Sequence, residues 1–271
     1  MGKRIVIKVG TSTLTHANGG VNLRNMDRLA RVLSDLKHAG NEVVLVSSGA
    51  IGVGAGKLHL KQKPTELRMK QAVAAIGQCE LMHLYDKFFG DYGVTVGQIL
   101  LIREIVDDPV QSQNLLGTFN ALLELGVVPV VNENDSVSFE EIERDHHEGN
   151  HKVFGDNDTL SALVARLVHA DQLVIFSDID GLYDSDPHTN EDARLIAEVT
   201  EITDEIRDLA GGAGSAFGTG GMATKIQAAE IAMQSGCDLI ITNGARPENL
   251  YDIAENRARG TLFRARKGAC V

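Results

Sequence analysis

The stretch IVIKVGTS, residues 5–12, decides the fold. Its apolar, β-branched side chains run on without alternation, which reads as a strand buried on both faces. Five further runs share the pattern: VVLV (43–46), VTVGQILL (94–101), VVPVV (127–131), LVIF (173–176) and LIIT (239–242). Helical patterns separate them. Residues 23–39 place Met26, Leu29, Ala30, Leu33 and Leu36 on one stripe, with Asn22 as N-cap and Gly40 as stop. Residues 66–90, 111–125, 158–170 and 224–235 also read as helices. Strand–helix–strand alternation with connections of this length predicts an α/β fold: an αβα sandwich with a mainly parallel central sheet. Right-handed crossovers follow.

The 271 residues suit one large α/β domain or two small ones. Hydrophobic residues make up 43% and charged residues 23%, which disfavours a disordered or fibrous chain. A net charge of −11 argues against a general nucleic-acid binder, which needs clustered Lys and Arg. An anionic substrate remains compatible, because a pocket needs only a few local cations. Cys79, Cys237 and Cys270 are scattered, with no metal or dithiol spacing, as suits a reducing cytoplasm. The first residues do not form a signal peptide, and no run has the 18 or so apolar residues of a membrane helix. Neither a nucleic-acid nor a membrane partner is expected.

Ligands of open parallel sheets bind beyond the carboxyl ends of the strands. The unusual residues cluster in the segments assigned there. Lys8-Val-Gly10-Thr-Ser12 follows the first strand, and Ser47-Ser48-Gly49 through Gly52 and Gly54 follows the second. Asn132-Glu-Asn134-Asp135 follows VVPVV, Gly155-Asp156-Asn157-Asp158 precedes a helix, and Ser177-Asp178 follows LVIF. The glycine-rich stretch 211–221 leads into Met222, Ala223, Thr224 and Lys225. Glycines ahead of a helix let backbone N–H groups approach phosphate oxygens. Two such segments, 47–54 and 211–225, suggest a ligand with more than one phosphate; the alternative is that each is a tight turn. The dinucleotide, P-loop and protein-kinase fingerprints are all absent.

Lys8 interrupts an apolar strand, and its burial is costly without an anion or a counter-charge. A strand-end lysine could also snorkel to water. Lys225 stands at a helix start, where a cation opposes the helix dipole. A phosphate partner explains both. Asp135, Asp156 and Asp158 could bind metal, act as bases or cap helices. His146, His147 and His151 fall in the polar stretch 138–152 and match no metal-binding pattern.

On the strings IVIKVGTSTL, VSSGAIGVG, AAIGQ through GVTVGQILL, GVVPVVNENDSV, FGDNDTLSALVA, SDIDGLYDSDP, GTGGMATKIQAAEIA and GTLF (260–263), the chain resembles the amino-acid kinase family along essentially its whole length. The match is to the branch that phosphorylates the γ-carboxylate of L-glutamate with ATP, toward proline. The resemblance implies that Lys8 and Lys225 flank the transferred phosphoryl group and that Asp158 orients them. It implies an amino-acid pocket of Ser48, Gly49, Asn132, Asp135 and Asn157. It implies a nucleotide site of Lys8, Ser177, Asp178, Thr219, Gly220, Gly221, Met222, Ala223, Thr224 and Lys225. Mg2+ bound with ATP, feedback inhibition by proline, a downstream glutamyl-phosphate reductase and a cytoplasmic homo-oligomer are likewise implied. The expectation is one domain over 1–271, with the substrate site in its N-terminal part and the nucleotide site from about 170 onward. No C-terminal PUA domain is expected, since the chain stops eight residues after Phe263. The stretch 138–152 also looks long for the family. Kinases of N-acetylglutamate, aspartate, carbamate or UMP share this fold, as could a non-catalytic amino-acid sensor. A free α-amino group calls for a carboxylate such as Asp135. Retention of Lys8, Lys225 and Asp158 argues against the sensor.

Overall fold

The computed structural model describes residues 2–16, 19–137, 157–187, 189–211, 221–257 and 259–265. Among them, β1 (Arg4–Val9), β2 (Glu42–Ser47), β3 (Val96–Leu101), β4 (Val128–Glu133), β5 (Gln172–Ser177), β6 (Glu198–Val199), β7 (Asp238–Asn243) and β8 (Thr261–Phe263) form one sheet. Its strand order is β3-β4-β2-β1-β5-β7-β8-β6. The pairings are parallel except β7 with β8, which run antiparallel. The six apolar runs are β1 to β5 and β7; the two short strands β6 and β8 carry no comparable apolar run, and β3, at the sheet edge, is only partly buried rather than covered on both faces. The expected α/β sandwich is therefore the observed architecture.

The helices are α1 (Thr11–Leu14), α2 (Leu23–His38), α3 (Ala50–Lys57), α4 (Leu67–Asp91), α5 (Arg103–Asp107), α6 (Pro109–Glu124), α7 (Asn157–Leu167), α8 (Asp204–Leu209), α9 (Met222–Gln234) and α10 (Asn249–Ala254). Local chemistry sets several of their ends. Asn22 accepts from the Asn25 N–H at 3.1 Å to open α2, and Gly40 follows it with φ +91. Asp108 accepts from the Gln111 N–H at 2.8 Å to open α6, with Pro109 in its first turn.

Strand periodicity sorts the core into two layers. Val6, Val44, Val46, Val131 and Ile175 face Phe119 of α6, Leu160 and Val164 of α7, and Ile226 and Ala229 of α9. Ile5, Ile7, Val9, Leu45 and Val130 face Met26 and Leu33 of α2, Val53 of α3, Tyr85 and Phe89 of α4, and Leu250 of α10. Each fully buried large apolar side chain contributes about 1.5–3 kcal/mol. Lys8 has the parity of Val6, so it points into the layer of α7 and α9.

Topology places the opening. From β1 the chain moves to β2 on one side, whereas after β4 it crosses β1 to β5 on the other. A ligand crevice lies at the carboxyl ends where the order reverses. Helices α7 and α9 lead into the parallel strands β5 and β7, so both begin at that same edge.

One sequence reading changes. Of the glycine-rich segment 47–54, only Ser47–Gly49 precedes the helix; Gly52 and Gly54 lie inside α3. A Cβ on Gly54 would come within 2.0 Å of the Val73 carbonyl oxygen, and one on Gly77 within 1.8 Å of the Ala50 carbonyl oxygen. These glycines let α3 and α4 meet backbone to backbone. They serve packing, not phosphate approach.

Candidate active site

Three charged side chains from distant parts of the chain meet at the carboxyl end of β1. Lys8 Nζ lies 2.7 Å from Asp158 Oδ1, and Lys225 Nζ lies 3.1 Å from Asp158 Oδ2. Thr224 Oγ1 donates to the same Oδ2 at 3.1 Å. Asp158 has 0% exposure, Lys8 5% and Lys225 7%, so neither lysine snorkels to water. Burial pushes the Asp158 carboxyl upward, but the ammoniums of Lys8 and Lys225 outweigh it and hold the group below the usual carboxylate range. The three side chains together carry one net positive charge. Asp158 stands in the first turn of α7, where a carboxylate is favourable; Lys225 stands in the first turn of α9, where a cation is not. A negatively charged ligand at this edge complements both the excess charge and the α9 terminus. A cap-only role for Asp158 is inconsistent with its two ion pairs.

Beside the lysines lies an uncharged hydrogen-bond network. Asn157, next to Asp158, donates from Nδ2 to Ser48 Oγ at 2.6 Å, to the Ser47 carbonyl at 3.2 Å and to Asn132 Oδ1 at 3.3 Å. Because Ser48 Oγ accepts here, its own hydrogen is left for another acceptor. Gly49 takes φ +96 at the turn, a left-handed conformation that favours glycine. Asp135 is half-buried in the turn just after β4. The five residues assigned to an amino-acid pocket thus come from the carboxyl ends of β2 and β4 and the start of α7.

Residues assigned to nucleotide lie on the other side of β1. Ser177 ends β5 and donates from Oγ to Asp178 Oδ1 at 3.1 Å. The Gly244 N–H donates to the Ser177 carbonyl at 2.8 Å. Gly221 caps α9 in extended conformation without a side-chain cap, and Met222, Ala223 and Thr224 form its first turn. Thr219 and Gly220, Asp156, the histidine cluster and the stretch 138–152 lie outside the described residues. Among the described residues no group of three His, Cys, Asp or Glu side chains is placed to hold a metal ion.

Two residues beside the pocket were not singled out from the sequence. Gln78 Oε1 accepts from Asn132 Nδ2 at 2.8 Å, and the Tyr85 hydroxyl is 2.8 Å from Ser47 Oγ. Both belong to α4, whose periodicity reports only burial.

A model of the amino acid kinase family matches residues 3–243. The chain is 57% identical over 266 residues to the glutamate 5-kinase of Clostridium perfringens, covering 98% of this chain and 97% of that one. It is 53% identical to the glutamate 5-kinase of Listeria innocua, covering 98% and 94%. Among solved structures, carbamate kinase from Giardia lamblia bound to AMP-PNP superposes with a TM-score of 0.68 at 19% identity, over 98% and 99% of the two chains. UMP kinase from Ureaplasma parvum superposes with a TM-score of 0.65 at 14% identity, over 97% and 99%. At those identities the likeness is one of fold. The sheet, the lysine–aspartate–lysine contact and the whole-length relatives converge, and the chain belongs to the amino acid kinase family.

Proposed function

We propose that the protein transfers the γ-phosphoryl group of ATP to the γ-carboxylate of L-glutamate, giving L-glutamyl 5-phosphate, the first step of proline biosynthesis. The observation that carries this reading is the adjacency of Asn157 and Asp158. One side chain joins the amide and hydroxyl network of an amino-acid pocket; the next holds both lysines. Acceptor and phosphoryl donor are thereby brought together by consecutive residues.

In the reaction, an oxygen of the γ-carboxylate forms a bond to the γ-phosphorus as the bond to the β–γ bridging oxygen breaks, and ADP leaves with that electron pair. The carboxylate has an ordinary pKa of about 4.3, so it is already ionised and needs no general base. Lys8 and Lys225 supply cations for the charge spread over the phosphoryl oxygens. Asp158 keeps the two ammoniums apart and in place before substrate arrives. Mg2+ would arrive bound to ATP and would supply positive charge against the phosphate oxygens. Ser48, Gly49, Asn132 and Asn157 hold the amino acid, with Asp135 facing its ammonium. Ser177, Asp178 and residues 219–225 hold the nucleotide. The whole chain is then one kinase domain, with the amino-acid site in its N-terminal part and the nucleotide site from about 170 onward. Proline competing with glutamate, a reductase consuming the labile acyl phosphate, assembly as a homo-oligomer and a cytoplasmic location belong to the same reading. Among the described residues no helix is long and apolar enough to cross a membrane.

The test is a hydroxylamine trap with Mg-ATP and, in parallel, L-glutamate, N-acetylglutamate, aspartate and UMP, with ADP release followed for each. Hydroxamate from L-glutamate above the other carboxylate acceptors is expected. Preference for N-acetylglutamate, aspartate or UMP overturns the assignment.

A further inference from the structure

We infer that Gln78 is a positioning residue for amino-acid binding, acting through Asn132; the inference rests on the pocket assignment above. The argument starts from the amide of Asn132, which is 2% exposed. The Glu133 backbone N–H can only donate, and it lies 2.9 Å from the Asn132 side chain, so the atom facing it is Oδ1. That oxygen also accepts from Asn157 Nδ2 at 3.3 Å. The other end of the amide is therefore Nδ2, a donor, and its partner must present an acceptor. Gln78 does so with Oε1 at 2.8 Å. With this acceptor in place, rotation of the Asn132 amide would set nitrogen against the Glu133 N–H and oxygen against the Gln78 oxygen, two repulsive contacts in a buried site.

The consequence passes along the network. A fixed Asn132 oxygen gives Asn157 an acceptor, and Asn157 donates in turn to Ser48 at 2.6 Å. Ser48 then has its hydroxyl hydrogen left for a ligand oxygen. One acceptor on α4 thus adds to the Glu133 N–H in holding the donor direction three residues away, at the wall of the pocket.

The fold supplies the means of reaching Asn132. Gly77, the residue before Gln78, has no room for a Cβ against the Ala50 carbonyl. This close crossing brings α4 against the helix that follows the Ser48–Gly49 turn. Gln78 then reaches the end of β4, and Tyr85, two helical turns on, contacts Ser47 at the end of β2. The AAIGQ string combines the glycine that permits approach with the amide that uses it.

The experiment is a double-mutant cycle of Gln78→Met and Asn132→Ala in the full chain, with glutamate KM, ATP KM and kcat measured for each. Gln78→Met keeps the side-chain length and removes the acceptor. A five- to tenfold rise in glutamate KM is expected, of the size one intramolecular hydrogen bond is worth. ATP KM should stay within about twofold, as befits a residue outside the nucleotide site. In the Asn132→Ala background the same change should have little further effect. Unchanged glutamate KM, an equal rise in ATP KM, or full additivity with Asn132→Ala overturns the role. If Gln78→Met does not fold, judged by circular dichroism, Gln78→Ala at this helical position carries the same expectations. Wild-type turnover is measured first. No glutamyl hydroxamate from the unaltered protein defeats the functional assignment, whereas normal wild-type turnover with an indifferent Gln78 variant defeats only the positioning role.

Discussion

Lys8 and Asp158 form a buried ion pair, Nζ to Oδ1 at 2.7 Å, and the opposite oxygen of the same carboxylate holds Lys225. Removing the shared carboxylate leaves two buried ammoniums facing each other. Asp158→Asn should therefore lower stability by about 3–5 kcal/mol, as for other broken buried pairs, and also depress kcat steeply. Combining it with Lys8→Met should recover part of the stability and none of the activity. Urea unfolding and steady-state kinetics check both. A folded Asp158→Asn protein with near-normal kcat would refute the organising role.

The pH dependence of that stability has a definite sign. The carboxyl of Asp158 titrates lower in the folded chain than in the unfolded one, because two ammoniums outweigh its burial. Its contribution is thus fully present above the unfolded value of about 3.9 and is lost as pH falls through the folded value. The difference in unfolding free energy between the protein and Asp158→Asn should shrink as pH falls below about pH 4. A difference that held constant from about pH 5 down to about pH 2 would assign the effect to another group.

The lysines act on the transition state. Lys8→Met and Lys225→Met should each reduce kcat by about a hundred- to a thousandfold, the range for loss of one preorganised charge-stabilising group. Glutamate KM should move little by comparison. Loss confined to KM would place the affected lysine in ground-state binding only.

Asp135 should discriminate the amino group. Asp135→Ala is expected to raise glutamate KM by an amount worth about 2–5 kcal/mol, the cost of leaving a desolvated charge unpaired, with ATP KM almost unaltered. An unchanged glutamate KM removes Asp135 from the pocket.

Glycines in two neighbouring layers should respond in opposite directions. A methyl on Gly77 would sit 1.8 Å from the Ala50 carbonyl, whereas one on Gly117 in α6 meets nothing within 4 Å. Gly77→Ala should cost about 1–3 kcal/mol or more and raise glutamate KM as α4 is pushed away. Gly117→Ala should add about 0.5–1 kcal/mol of stability through helix propensity. Thermal unfolding of both variants checks the contrast.

Much of this molecule was legible in the sequence alone. Continuous apolar runs mark β1, β2, β4, β5 and β7, because a strand covered on both faces has no polar side to show; β3, at the sheet edge, is only partly buried and exposes Gln98. The period of two places Lys8 with Val6, and a lone cation in an apolar strand needs either an anion or a route to water. The motif strings pointed to Lys225 and Asp158 as its companions. Tertiary structure decided what spacing does not encode: that one carboxylate, fully buried, bridges both lysines, since their meeting depends on α7 and α9 starting at the same sheet edge. It decided that Gly52 and Gly54 lie inside a helix, and Gly54 against another helix's backbone, because a glycine's lack of a Cβ serves a close helix crossing as well as a phosphate loop. It also brought Gln78 and Tyr85 to the pocket. On a long helix their type and periodicity signal only burial, and the polar partner each one meets is fixed by how α4 packs against α3 and the strand ends.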